Sequence, residues 1–86
     1  MEGVLQKLPD WFKGEVYEEG CSITNPFSGQ EYYLNNIELS MYDFIMGCNM
    51  LYEMTGSLTD ELILEMRKGL SWFAENNPKA YYVLLD

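Results

Sequence analysis

Carboxylates and thiols are the side chains in this sequence with the most chemical potential. There are 14 Asp and Glu against 5 Lys and Arg, with two Cys and no His. Two carboxylates can serve as general acid and base when burial or a cleft drives their pKa values apart. Glu61 and Glu65 have the i, i+4 spacing of neighbours on a helix. Glu15 and Glu19 share that spacing only if their segment is helical. Periodicity puts Glu61 and Glu65 on the polar side of an amphipathic helix, which predicts a solvated face. Glu18-Glu19 could contribute to a divalent-cation site, but the spaced oxygen ligands of a calcium loop are absent.

The remaining groups point away from catalysis. Without His there is no imidazole catalyst, ligand or switch near neutral pH. Cys21 and Cys48 alone are too few thiols for a structural zinc or an iron–sulfur cluster. Cys48 falls on an apolar helix face, where free Cys packs as a small hydrophobe. Cys21 has acidic neighbours, which disfavour a thiolate. Ser28-Gly29 lacks the flanking glycines of a nucleophile elbow, and the glycines form no phosphate-cradling loop. No catalytic residue, metal or cofactor is expected, and the expectation is a non-enzyme.

The elements that position these groups follow from spacing. Leu5, Leu8, Trp11 and Phe12 have helical spacing and suggest a short N-terminal helix from about Pro9 to Lys13, ended by Gly14. Glu15 to Asn35 reads as strand, turn, strand, with Asn25-Pro26-Phe27-Ser28-Gly29 as the turn and a bulge or bend at Gly20. Asn35 and Glu38 have capping-box spacing, so a helix is predicted from about Asn36 to Thr55, stopping at Gly56. Its main apolar face is Ile37, Met41, Phe44, Ile45, Cys48, Leu51 and Tyr52. Ser57 and Asp60 have the same spacing and predict a second helix from about Leu58 to Glu75. Leu62, Ile63, Met66, Leu70, Phe73 and Ala74 face one way, with Gly69 at the edge; Leu64 and Trp72 fall on the polar side. Asn77-Pro78 reads as cap and first helical position. The run Tyr81 to Leu85 also suits a strand, but the leading Pro favours a terminal helix.

The whole chain of 86 residues therefore reads as one α+β domain: a β-hairpin packed on two antiparallel helices, with a short N-terminal helix and a short C-terminal helix or strand. A hairpin alone is marginal and must pack on the helices. The abundant Phe, Tyr, Trp and Met supply a core without a disulfide.

A net charge of −9 repels phosphate backbones and anionic lipid, which argues against direct nucleic-acid binding. No run approaches the roughly 20 apolar residues of a membrane span. The residues Met1 to Lys7 do not resemble a signal peptide. The expectation is a cytoplasmic protein with free thiols.

One oddity remains. Leu39, Tyr42, Met46, Met50 and Met54 form a second apolar stripe on the first long helix, interrupted by Asp43 and Glu53. Either the hairpin and the second helix cover both sides of this helix, or part of the stripe is a partner surface. Met and Tyr are frequent at such surfaces, and Trp72 on a polar face is a common type of anchor. The candidate interface is therefore Leu39, Tyr42, Met46, Met50, Met54 and Trp72, and the expected function is a protein-interaction module. Its partner would be a host protein or a second copy in a homodimer. The alternative is an acidic mimic of nucleic acid that inhibits a basic host protein.

Three runs carry a family likeness: Thr24-Asn25-Pro26-Phe27-Ser28-Gly29, the stretch from Glu38 to Gly47, and the ending from Trp72 to Asp86. In texture the chain resembles small uncharacterised proteins of marine tailed phages. The resemblance implies action in a bacterial host cytoplasm or on a virion. It implies no activity and no site residues.

Overall fold

Two hydrogen-bonded signals organise the first helix of the computed structural model, which describes residues 6–85. Asn35 sits in extended backbone and its side chain accepts from the Glu38 N–H at 2.8 Å, while Glu38 Oε1 accepts from the Asn35 N–H at 3.0 Å. This reciprocal pair satisfies two of the donors that every helix start leaves open. Helix α1 runs Asn36–Thr55 and ends at Gly56, whose φ of 80° is the left-handed cap that glycine adopts without strain. Start, stop and capping box agree with the spacing.

Before it stands the hairpin: β1 is Cys21–Thr24 and β2 is Glu31–Leu34, antiparallel, with Cys21 opposite Leu34 and Thr24 opposite Glu31. The strand expected to begin near Glu15 begins at Cys21. In the stretch before it, the Tyr17 backbone bonds to α1 instead: Ser40 Oγ accepts from the Tyr17 N–H at 2.9 Å, and Asn36 Nδ2 donates to the Tyr17 carbonyl at 3.3 Å. The chain bends at Glu18-Glu19. Gly20 then passes so close to β2 that a Cβ would lie 2.1 Å from the Leu34 carbonyl oxygen.

Helix α2 is Asp60–Asn76. It starts two residues after the expected point because the cap is Thr59, whose Oγ1 accepts from the Leu62 N–H at 3.1 Å. Ser57 is held in the turn by Thr55, whose Oγ1 donates to the Ser57 carbonyl at 2.8 Å. The short connection makes α1 and α2 antiparallel neighbours. Gly69 is buried at their contact, and a Cβ there would come within 3.1 Å of Met41 Sδ. Asn77 then accepts from the Ala80 N–H and opens helix α3, Pro78–Ala80, which continues as a π-turn over Tyr81–Leu85. The C-terminal run is thus helical, as the Asn-Pro start favoured.

The short N-terminal helix is not formed. One turn is present, with the Phe12 N–H bonded to the Pro9 carbonyl at 3.0 Å. Five residues are too few to propagate a helix by themselves. The adjacent Trp11 and Phe12 rings both pack on Phe44, with centroids 5.9 and 5.6 Å away. Leu5, which the spacing grouped with this segment, lies outside the described residues.

The core is Leu34, Met41, Ile45, Phe73, Ala80 and Leu84. It draws on β2, both long helices and the C-terminal turn, so the hairpin closes the helical pair as expected. A polar hub locks one corner. Glu38 is buried, and its Oε2 accepts from Gln6 Nε2 and Asn77 Nδ2, both at 2.8 Å. Asn35 Nδ2 donates to Gln6 Oε1 at 2.8 Å. One carboxylate thereby ties the N-terminal segment and the α2–α3 corner to the start of α1.

Candidate functional site

The second stripe of α1 changes character along its length. Leu39 and Tyr42 are half-buried and pack against the core, and burial pushes the Tyr42 hydroxyl pKa up. Met46 is half-buried. Met50 is 62% and Met54 77% exposed. Leu51 and Tyr52, expected on the buried face, are exposed as well, and so is every residue from Met50 to Ser57. The core residues of α1 are Met41, Ile45 and Cys48. The helix therefore extends beyond what covers it.

The hairpin turn supplies the other wall of a groove. Asn25 Oδ1 accepts from the Phe27 N–H at 2.8 Å and the Ser28 N–H at 3.3 Å, while its Nδ2 donates to the Val83 carbonyl at 2.9 Å. The local Asx bonds shape the turn. The long-range bond pins it to the C-terminal turn. Phe27, at 97% exposure, is held out at the tip. Pro26 and Phe27 then face Met46, Asn49, Met50, Tyr52 and Glu53 across a cavity of about 500 Å³. A smaller cavity shares Pro26, Phe27, Met46 and Asn49 and reaches Tyr42, Leu84 and Leu85. Of the candidate residues, Tyr42, Met46 and Met50 thus line one continuous groove.

Trp72 stands elsewhere. Its Nε1 donates to the Lys7 carbonyl at 3.0 Å, and its ring meets the edge of Phe73. It lines a separate, shallow depression with Pro9, Trp11, Arg67, Lys68, Ser71 and Glu75. Its hydrogen bond clasps the N-terminal segment to α2.

Phe27 was not among the residues singled out from the sequence. Its signal there was a bulky aromatic inside a turn of Asn, Pro, Ser and Gly, where no strand or helix needs it. A second signal is charge order. Between Gly14 and Met66 there is no Lys or Arg, while ten of the 14 carboxylates lie there. Every residue of the groove except the terminal pair Leu84 and Leu85 belongs to that stretch.

Of the carboxylates considered from the sequence, Glu15, Glu18 and Glu19 are exposed, while Glu61 and Glu65 share Lys13. Glu65 is buried, against the solvated position expected from periodicity, because it stands on the same line of α2 as Gly69 and Phe73, the line that packs toward α1. Lys13 Nζ lies 2.7 Å from Glu61 and 3.6 Å from Glu65. The hydrogen bond from Lys13, with its charge, holds the Glu61 carboxyl below the ordinary range and raises the Lys13 ammonium pKa. Burial, reinforced by the Glu65 charge, pushes the Cys48 thiol up. The Tyr17 hydroxyl is raised chiefly by its hydrogen bond to Asp43. Cys21 is exposed and Cys48 buried, both as free thiols. Among the described residues no group of three or more His, Cys, Asp or Glu is placed to hold a metal ion. Among the described residues no helix is long and apolar enough to cross a membrane.

Comparison with protein-family models, curated proteins and solved structures yields no match for this chain.

Proposed function

We propose that this protein is a non-enzymatic interaction module whose contact face is the groove between Phe27 and the outer half of α1. One observation carries the reading. Of the ten large apolar side chains exposed among the described residues, Phe27, Met50 and Tyr52 line this groove, and Leu51 and Met54 lie beside them in the sequence of α1. Exposed apolar groups gathered in one place mark binding surfaces, whereas scattered ones do not. Met adds side-chain adaptability to such a face. The resemblance of the sequence to marine tailed-phage proteins suggests a setting in a bacterial cytoplasm or on a virion.

The acidic stretch from Gly14 to Met66 supports a second reading, a mimic of nucleic acid that occupies a basic protein. That reading requires association that weakens steeply with salt, whereas an apolar contact persists.

The test uses wild type and Met50→Glu, with circular dichroism to confirm that both fold. Sedimentation reports self-association, and a tagged capture from bacterial lysate at low and high salt reports other partners. The reading expects a self-associated species or a stoichiometric partner that Met50→Glu removes. Identical sedimentation and identical captured proteins for the two chains, or a monomer that captures nothing, overturn it.

A further inference from the structure

The five cations of the chain are unevenly placed. Lys13 is paired with Glu61, Lys79 stands exposed on α3, and Lys7 offers its carbonyl to Trp72. The other two, Arg67 and Lys68, are exposed on α2 and line a depression of about 370 Å³ with Trp11, Trp72, Ser71 and Glu75. In a chain of net charge −9, two cations here stand against one carboxylate. Asp10, next to Trp11 in sequence, is exposed and is not part of the lining.

Both tryptophans of the chain line this depression, and both are held in place. Trp72 Nε1 donates to the Lys7 carbonyl at 3.0 Å, and its ring meets the edge of Phe73. Trp11 packs on Phe12 and Phe44. Each indole is half-buried, so part of its surface stays open. With its one polar atom engaged, Trp72 presents carbon. Fixed indole surface beside a guanidinium and an ammonium suits a ligand with two parts. A planar heterocycle stacks on indole, and an oxyanion takes the planar fork of Arg67 with the Lys68 charge next to it. Glu75 disfavours a second anion at its own end and accepts from an amine or hydroxyl. The volume falls near the lower end of small-molecule sites, about 300–1,000 Å³. A single phosphate also escapes the repulsion that a net charge of −9 imposes on a chain of phosphates. We propose that the Trp11–Trp72 depression binds a nucleoside monophosphate, with the base on the indoles, the phosphate on Arg67 and Lys68, and Glu75 accepting from the base amine or sugar hydroxyls. The site is separate from the Phe27 groove, so the proposal does not depend on the interaction-module reading.

The probe is adenosine monophosphate, titrated into the full chain at low salt up to millimolar levels. Since both tryptophans line the depression, their fluorescence, excited at the red edge of absorption, reports binding directly; calorimetry on the same titration covers binding that leaves emission unchanged. Adenosine and inorganic phosphate are the controls. The monophosphate is expected to saturate, with an affinity at least ten-fold above either control. Arg67→Gln and Lys68→Gln, both at exposed positions, are each expected to weaken it five-fold or more with unchanged circular dichroism. Lys79→Gln, which alters net charge equally from outside the depression, is expected to leave it unchanged. Neither heat nor quenching overturns the proposal. So does equal binding of phosphate alone or of adenosine alone, unchanged binding in either α2 variant, or an equal loss in Lys79→Gln.

Discussion

Replacing Glu38 with Ala tests the view that one buried carboxylate holds three parts of the chain together. Glu38 is 5% exposed. Its oxygens accept from the Asn35 N–H at 3.0 Å and from the side-chain amides of Gln6 and Asn77 at 2.8 Å each. Hydrogen bonds to a charged group contribute about 1.5–3 kcal/mol each, and a buried donor left without a partner costs a similar amount. All three donors, on Gln6, Asn35 and Asn77, are only partly buried and can recover water. The low end of the range therefore applies to each of the three bonds, and the expected loss is about 4–5 kcal/mol. For a domain of this size about 4–8 °C of melting temperature goes with each kcal/mol. The fall is then on the order of 15–40 °C. Urea unfolding should show a lower midpoint at unchanged slope, since a two-state change of stability leaves the slope alone. Glu38→Gln keeps the shape and one acceptor, but turns an amide toward a donor, so about half the loss is expected. A Glu38→Ala loss below about 1 kcal/mol would refute the argument, because it would mean that the three donors find equivalent partners elsewhere.

Two further outcomes follow from the charged and thiol groups. Native protein should react with a thiol reagent at one site quickly, Cys21, and at Cys48 only slowly; in urea both should react at comparable rates, and two fast native thiols would contradict the burial of Cys48. Lys13→Ala should return the Glu61 carboxyl upward toward the ordinary range in an NMR titration, because the Lys13 hydrogen bond and charge are what lower it. The sign for stability follows: the pair's contribution is present above the unfolded carboxylate pKa and is lost as pH falls through the lower folded value. Lys13 and Glu61 are both exposed, so the stability change itself is small.

Local chemistry was legible where an element carries its own stop signals. Asn35 with Glu38, Gly56 with its positive φ, and Asn77-Pro78 each act within a few residues, so α1 and the helical C-terminal turn could be read from spacing. The turn at Asn25 to Gly29 was legible for the same reason. The short stretch from Pro9 to Lys13 was not. Its helical spacing competed with long-range contacts of Trp11 and Phe12 to Phe44, and the contacts prevailed because one turn of helix contributes little by itself. Ser57 against Thr59 as cap of α2 was decided by Thr55, which bonds Ser57 into the turn.

For the candidate site, the sequence alone determined that the first long helix is apolar on two sides and that imidazole chemistry is absent. It also held the charge order that leaves Gly14 to Met66 without a cation. Only the tertiary structure decided how that doubly apolar helix is used. Leu39 and Tyr42 pack on the core, while Met50 and Met54 extend past everything that could cover them. The bond from Asn25 to the Val83 carbonyl pins the turn that carries Phe27 beside Met46, and Trp72 lines a different depression. The physical reason is range. Caps, turns and periodicity are properties of neighbours in the chain, whereas exposure depends on which distant segment arrives to cover a face, and among the described residues the hairpin turn comes beside the outer half of α1 without burying Met50 or Tyr52.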